Sequence, residues 1–246
     1  MRIVIIGATS AIAEHCARIW ASRSPSSFVL VGRDVGRMER IAEDLRVRGP
    51  HVQVDCLQAD FLDPVRIRET VDGICNHGRA DLVLIAHGSL PDQQQCQDDL
   101  TACHMALEVN GTSPVLFAEA FAAHMARTGS GTLAVIGSVA GDRGRRSNYV
   151  YGAAKGLVTR YVQGLQHRFA STGVKAVLIK PGPTDTPMTA GIKQKGARLA
   201  SVQDVAACIV QGIERGRPVI YAPGKWALIM MVIRHMPRFV FNRMNI

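Results

Sequence analysis

Apolar runs rich in valine, isoleucine and leucine recur at 2–6, 28–31, 52–57, 81–85, 132–136, 174–180 and 218–221, with helix-length segments between most of them. Runs that are apolar at consecutive positions predict strands covered on both faces, and strands alternating with helices predict a doubly wound parallel sheet of about seven strands. The intervening segments carry their own stop and start signals. "DVGRMERIAEDLRVRG" begins at a capping Asp34 and ends at Gly49, and "SVQDVAACIVQGIERG" begins at Ser201 and ends at Gly216. With 246 residues and 47% hydrophobic content, a single α/β domain is expected over residues 1–222, followed by an extension over 223–246.

Composition changes this picture mainly at one end. Six scattered cysteines without a CxxC pair, and eight histidines without HxxxH spacing, favour free thiols in a reducing compartment over a disulfide frame or a metal site. The opening "RIVIIG" reads as a strand rather than a secretory signal, so a cytoplasmic location is expected. The net charge of +9 is uneven: from Arg215 onward there are six Lys and Arg residues and no acid. Such a segment suits nucleic acid, anionic lipid or a phosphorylated ligand, and its apolar content argues for lipid. The apolar run Trp226 to Ile233 is far below the ~20 residues needed to cross a bilayer. It fits a helix or hairpin lying in the membrane interface at the inner face of the cell membrane, and equally a segment packed on the protein itself or on another subunit. No nucleic-acid partner is expected.

Ligands of doubly wound sheets collect at the carboxyl ends of the strands, so the residues just after each strand bear inspection. The first strand runs into "GATSAIAE", where Gly7, Thr9, Ser10, Ala11 and Ile12 form a turn that opens a helix, a Rossmann-like arrangement for phosphate. Two of the three glycines of a GxxxGxG pattern are replaced, by Ala11 and Ala13. The second strand ends in Gly32, Arg33 and Asp34: no acid stands where a ribose 2′-hydroxyl is usually held, and Arg33 offers a partner for a 2′-phosphate. NADP(H) is the favoured cofactor by this reading, and NAD(H) stays open, with Arg33 then a solvated loop residue.

"SNYVYGAAKGL" contains Tyr149 and Tyr151, but only Tyr151 has a cation one helical turn away, at Lys155. A nearby ammonium would lower the phenol's pKa and poise a proton donor. On the residues alone, a surface tyrosine beside a surface lysine is an equally open reading.

Taken together, these motifs resemble the short-chain dehydrogenase/reductase family over about residues 1–222. Ser138 in "AVIGSVAG" stands thirteen residues before Tyr151, Asn110 in "LEVNGTSP" matches the family's helix asparagine, and Asp60 and Phe61 in "QADF" match its adenine end. "PGPTDTPM" matches the stretch over the nicotinamide, with Pro181, Gly182, Thr184 and Thr186, while the usual Asn-Asn-Ala-Gly is replaced by Ile85, Ala86, His87 and Gly88. The resemblance implies that Tyr151 protonates a carbonyl oxygen, that Ser138 also hydrogen-bonds it, that Lys155 holds the nicotinamide ribose, and that Asn110 supports a water leading to Lys155. It also implies a homo-oligomer.

A narrower resemblance, in "SVAGDRGRRSNYVYGAAKG" and the C-terminal segment, is to the reductase components of decaprenylphosphoryl-ribose 2′-epimerases. This implies a keto pentofuranose carried on a polyprenyl phosphate, a role in cell envelope biosynthesis and a separate flavin-dependent oxidase as partner. Arg143, Arg145 and Arg146 would then face the phosphate or, as a solvated basic loop, water. Two alternatives remain: a reductase of a soluble ketone, steroid or acyl chain, and a non-catalytic NADP-sensing or scaffold protein.

Overall fold

The computed structural model describes residues 1–23, 26–49, 51–191 and 198–244. Seven strands, β1 (Arg2–Ile6), β2 (Ser27–Gly32), β3 (Gln53–Gln58), β4 (Leu82–Ile85), β5 (Ser130–Ile136), β6 (Gly173–Pro181) and β7 (Val219–Ala222), form one parallel sheet in the order β3-β2-β1-β4-β5-β6-β7. Each lies within two residues of an apolar run in the sequence. The order reverses between β1 and β4, so a crevice opens at their carboxyl ends.

Successive residues of a strand face opposite sides. Ile3 and Ile5 of β1 join a core with Trp20 of α1 (Ala11–Arg23), Met38 and Leu45 of α2 (Val35–Arg48), and Ile209 of α8 (Val202–Glu214). Val4 and Ile6 join a second core with Ile67 of α3 (Pro64–Asn76), Phe117 and Phe121 of α6 (Ser113–Thr128), and Val158 of α7 (Tyr149–Arg168). The continuous apolar runs thus reflect two covered faces. The expected caps are in place: the Asp34 side chain accepts from Arg37 N at 2.9 Å, and Ser201 accepts from Asp204 N at 3.0 Å.

Between β4 and α6 lie two short helices, α4 (Gln93–Asp98) and α5 (Leu100–Leu107), and a π-helical turn at Glu108–Thr112. Single 3-10 turns occupy Val139–Asp142 and Pro187–Thr189. The extension forms α9 (Lys225–His235) and α10 (Arg238–Phe241).

The inner face of α9 packs on the domain. Met230 is fully buried, and a Cβ built at Gly182 would lie 2.0 Å from Trp226 Nε1, so only glycine lets the indole approach this closely. The outer face exposes Leu228 (64%), Met231 (54%) and Val232 (55%), and Phe239 of α10 is 69% exposed. Among the described residues no helix is long and apolar enough to cross a membrane. All six cysteines are free thiols.

Candidate active site

At the carboxyl ends of β1, β2 and β4 the chain lines a cleft of about 840 Å³, within the span of small-molecule sites. Gly7 adopts φ +82°, and a Cβ there would stand 2.6 Å from His87 N. The turn after β1 and the turn after β4 therefore touch through a position only glycine fills. Thr9, Ser10, Ala11 and Ile12 line the cleft where α1 begins. The Ala13 methyl is wholly buried in the core of the first face, which accommodates it without glycine.

The far end of the cleft is basic. Arg33 lines it as expected, and so does Arg37, four residues on at the start of α2, which sequence reasoning did not single out. Asp60 and Phe61 line the same end. The Asp60 carboxylate accepts from Leu62 N at 2.7 Å and Asp63 N at 3.1 Å, and these bonds hold its pKa below the usual carboxylate range.

Ala86, His87 and Gly88 line both this cleft and a smaller cavity of about 160 Å³ beside it. His87 Nε2 is 2.8 Å from Ser113 Oγ and its ring meets Phe61 edge-on, with centroids 4.8 Å apart. Burial pushes the imidazole down to about 3, so it is neutral, and its Nδ1 is a buried polar atom with no partner among the described residues. A glycine cradle at a helix start, two arginines, and a ring nitrogen unpartnered among the described residues make a lining that fits a phosphorylated dinucleotide.

The smaller cavity gathers the expected catalytic residues and the segment expected over the nicotinamide. Ser138, Tyr151, Lys155 and Asn110 line it, as do Pro181, Gly182 and Thr184, and Thr186 lines both cavities. Ser138 follows β5, where its hydroxyl accepts from Ala140 N at 3.1 Å, and it stands beside the Tyr151 phenol on α7. Lys155 is buried, donates to Ile136 O at 3.2 Å, and has its pKa pushed down to about 8 by burial. Its Nζ lies 5.9 Å from the Tyr151 ring centroid.

The phenol departs from the sequence expectation. Burial raises the Tyr151 pKa above its ordinary value of 10.0, opposed by the neighbouring Ser138 hydroxyl, and no lowering by Lys155 acts on it. Desolvation outweighs an ammonium that is near but not in contact.

Asn110 sits in the π-helical turn, where its Oδ1 accepts from Ser89 N at 2.8 Å and its Nδ2 donates to Ala106 O at 2.9 Å. A Cβ at Gly88 would lie 2.8 Å from Asn110 Oδ1 and 3.6 Å from Lys155 Nζ. Only glycine lets the backbone after β4 approach the Asn110 amide this closely.

The three arginines, of which at least one is expected to face a substrate phosphate, have different surroundings. Arg143 donates to Ile233 O and, at 2.7 Å, to Met236 O, and its guanidinium stacks on Phe241 at 3.8 Å. It holds the C-terminal segment and lines neither cavity, a correction that follows from α9 ending beside it. Arg145 lines the smaller cavity, and Arg146 is exposed.

Residues 1–197 match the short chain dehydrogenase family. An uncharacterized oxidoreductase of Streptomyces coelicolor is 30% identical over 98% of this chain and 95% of its own. Another from Mycobacterium tuberculosis is 31% identical over 98% of this chain and 96% of its own. Among solved structures, a short-chain dehydrogenase from Sphingobium yanoikuyae in complex with NADPH has the same fold, with TM-score 0.85 and 24% identity over 100% of this chain and 97% of that one. On this match, and with the cleft at the switch point of its sheet, the chain belongs to the short-chain dehydrogenase/reductase family of NAD(P)-dependent oxidoreductases.

Proposed function

We propose that this protein is an NADPH-dependent reductase that converts a ketone to an alcohol. The observation that carries the reading is the gathering of Ser138, Tyr151 and Lys155 on the wall of the smaller cavity. NADPH, when bound, supplies the hydride. Gly7, Ser10 and Ile12 would hold its phosphates, Arg33 and Arg37 its 2′-phosphate, and Thr184 and Thr186 its nicotinamide end. The Tyr151 hydroxyl donates its proton to the carbonyl oxygen, and Ser138 donates a second hydrogen bond to that oxygen, so that negative charge is neutralised as it develops. Lys155 would hold ribose hydroxyls, and a water supported by Asn110 would return a proton to the site through Lys155.

The cofactor assignment is tested by kinetics with both nicotinamides. Replacing Arg33→Ala and Arg37→Ala together is expected to raise the KM for NADPH by about 10- to 100-fold, the scale of losing charge-assisted hydrogen bonds, and to leave NADH within about threefold. The NADPH held by the Sphingobium relative agrees with this preference. A wild-type enzyme using both cofactors equally well would remove the assignment.

The exposed apolar residues of α9 and α10, interspersed with Arg234, Arg238 and Arg243, favour a more specific reading. In it the ketone is a keto pentofuranose on a polyprenyl phosphate, produced by a flavin-dependent oxidase, and the C-terminal segment rests on the membrane interface. Flotation with anionic liposomes should carry the wild-type chain upward, and Leu228→Ser, Val232→Ser and Phe239→Ser together should leave it at the bottom. Indifference of both proteins to the liposomes would favour a soluble ketone.

A further inference from the structure

The loop between the Ser138 turn and α7 lines the smaller cavity with two polar side chains, each carrying a buried atom that nothing among the described residues satisfies. Arg145 and Asn148 both line it beside Ser138, Tyr151 and Lys155, and Arg145 Nε and Asn148 Oδ1 are buried without a hydrogen-bond partner. Buried polar atoms left unpaired are uncommon and call for a reason.

For Asn148 the local geometry supplies one. It occupies the N-cap position of α7, where an asparagine side chain ordinarily accepts from a first-turn N–H, yet it makes no such bond. The N–H of Val150 is met instead by Gln93 Oε1 at 3.1 Å, from α4. A second element has taken over the capping, and the Asn148 oxygen, on a residue that lines the cavity, is left without a partner among the described residues. Arg145 is held from one side by Met230 of α9, with its Nη2 3.6 Å from the sulfur. Burial lowers its pKa, so the guanidinium has given up water.

We propose that Arg145 and Asn148 select a hydroxylated ketone, with a hydroxyl on a carbon near the reacting carbonyl. The inference rests on the reductase reading above for the carbonyl itself. One group that accepts from an Nε–H and donates to an amide oxygen is a hydroxyl. An anion would satisfy Arg145 but would oppose the Asn148 oxygen, and a hydrocarbon ketone would leave both atoms unpaired. A site built around a substrate hydroxyl rejects the analogue that lacks it far more strongly than an apolar pocket rejects an extra one.

The test uses ligands matched except for one hydroxyl. Cyclopentane-1,2-diol and cyclopentanol are titrated calorimetrically into the NADP complex of the wild-type chain, of Arg145→Met and of Asn148→Ala. NADPH oxidation is followed in parallel with 2-hydroxycyclopentanone and cyclopentanone. The diol should bind about tenfold tighter or better than cyclopentanol, each variant should lose that difference while cyclopentanol, NADPH affinity and melting temperature hold, and kcat/KM should follow the same order. Equal binding of diol and cyclopentanol by the wild-type chain, or variants that weaken both alike, would overturn the selection. Equal binding with both ketones still reduced leaves the reductase reading intact. A selective diol site with neither ketone reduced supports the selection and sinks that reading instead.

Discussion

Tyr151→Phe is expected to lower kcat/KM for ketone reduction by about three orders of magnitude, the range a positioned general acid contributes, while NADPH affinity stays within about twofold. The substitution removes one oxygen from a half-buried ring and leaves the ring's place on α7 unchanged. The lost oxygen is the one beside Ser138, so the site forfeits its proton donor while Ser138 remains as the other donor. Tyr149→Phe is the contrast. Tyr149 opens the same helix but is 45% exposed, and its loss should change kcat/KM by less than about twofold. Equal losses from the two substitutions would sink the assignment.

The pKa directions add a pH signature. With the phenol raised above 10.0, the proton donor is fully loaded at neutral pH in the cofactor-free protein. The titrating neighbour is Lys155, at about 8, so the wild-type rate of reduction should fall as pH rises through about 8, as the ammonium is lost. Lys155→Met, slow at every pH, should lack that limb.

Much of this was legible in the sequence because the signals are local. A strand covered on both faces must be apolar at successive positions, so "RIVII" and "VLVG" announce β1 and β2, and Asp34 and Ser201 announce the helices they cap. Tyr151 and Lys155 were legible for the same reason, being one helical turn apart. What the sequence could not convey depends on groups distant along the chain. Gln93 takes the Val150 N–H across 57 residues and thereby releases Asn148. Arg143 is drawn to carbonyls 90 and 93 residues away, out of the loop where its neighbours suggested a shared role. The rise in the phenol's pKa follows from burial, which no spacing encodes. The π-helical turn that presents Asn110 has no period of its own. Arg37 was within reach: a basic residue four after Arg33, on the first turn of an expected helix, is a pattern that reasoning about the strand end alone passed over.

Lys180→Met is expected to cost about 3–5 kcal/mol of stability, the range for leaving one member of a buried ion pair uncompensated. Lys180 is 3% exposed at the end of β6, and its ammonium pairs with Asp142. The other carboxylate oxygen accepts from the Tyr221 hydroxyl at 2.8 Å. Burial and the neighbouring carboxylate push that phenol up to about 12, so it remains a donor throughout the working range of pH. After the substitution the Tyr221 hydroxyl is the one side-chain hydrogen-bond donor left to Asp142 among the described residues, with Arg145 acting on it from farther off. For a chain of this length the loss corresponds to a fall in Tm of about 6–20 °C. Lys180→Met combined with Asp142→Asn removes the stranded charge and should recover part of that loss, as expected when the cost lies in the orphaned carboxylate rather than in the missing bridge. The consequence reaches the site because the pair joins its two walls. Asp142 ends the 3-10 turn that begins after Ser138, and Lys180 immediately precedes Pro181 and Gly182, which line the same cavity as Tyr151. Loosening that tie lets the Ser138–Tyr151 pair and the 181–189 segment drift apart, and misplacement on the scale of an ångström lowers kcat by about 100-fold without touching the reacting groups. A single Lys180→Met variant that melts with the wild-type protein and keeps its kcat would show that the buried pair holds neither the fold nor the site.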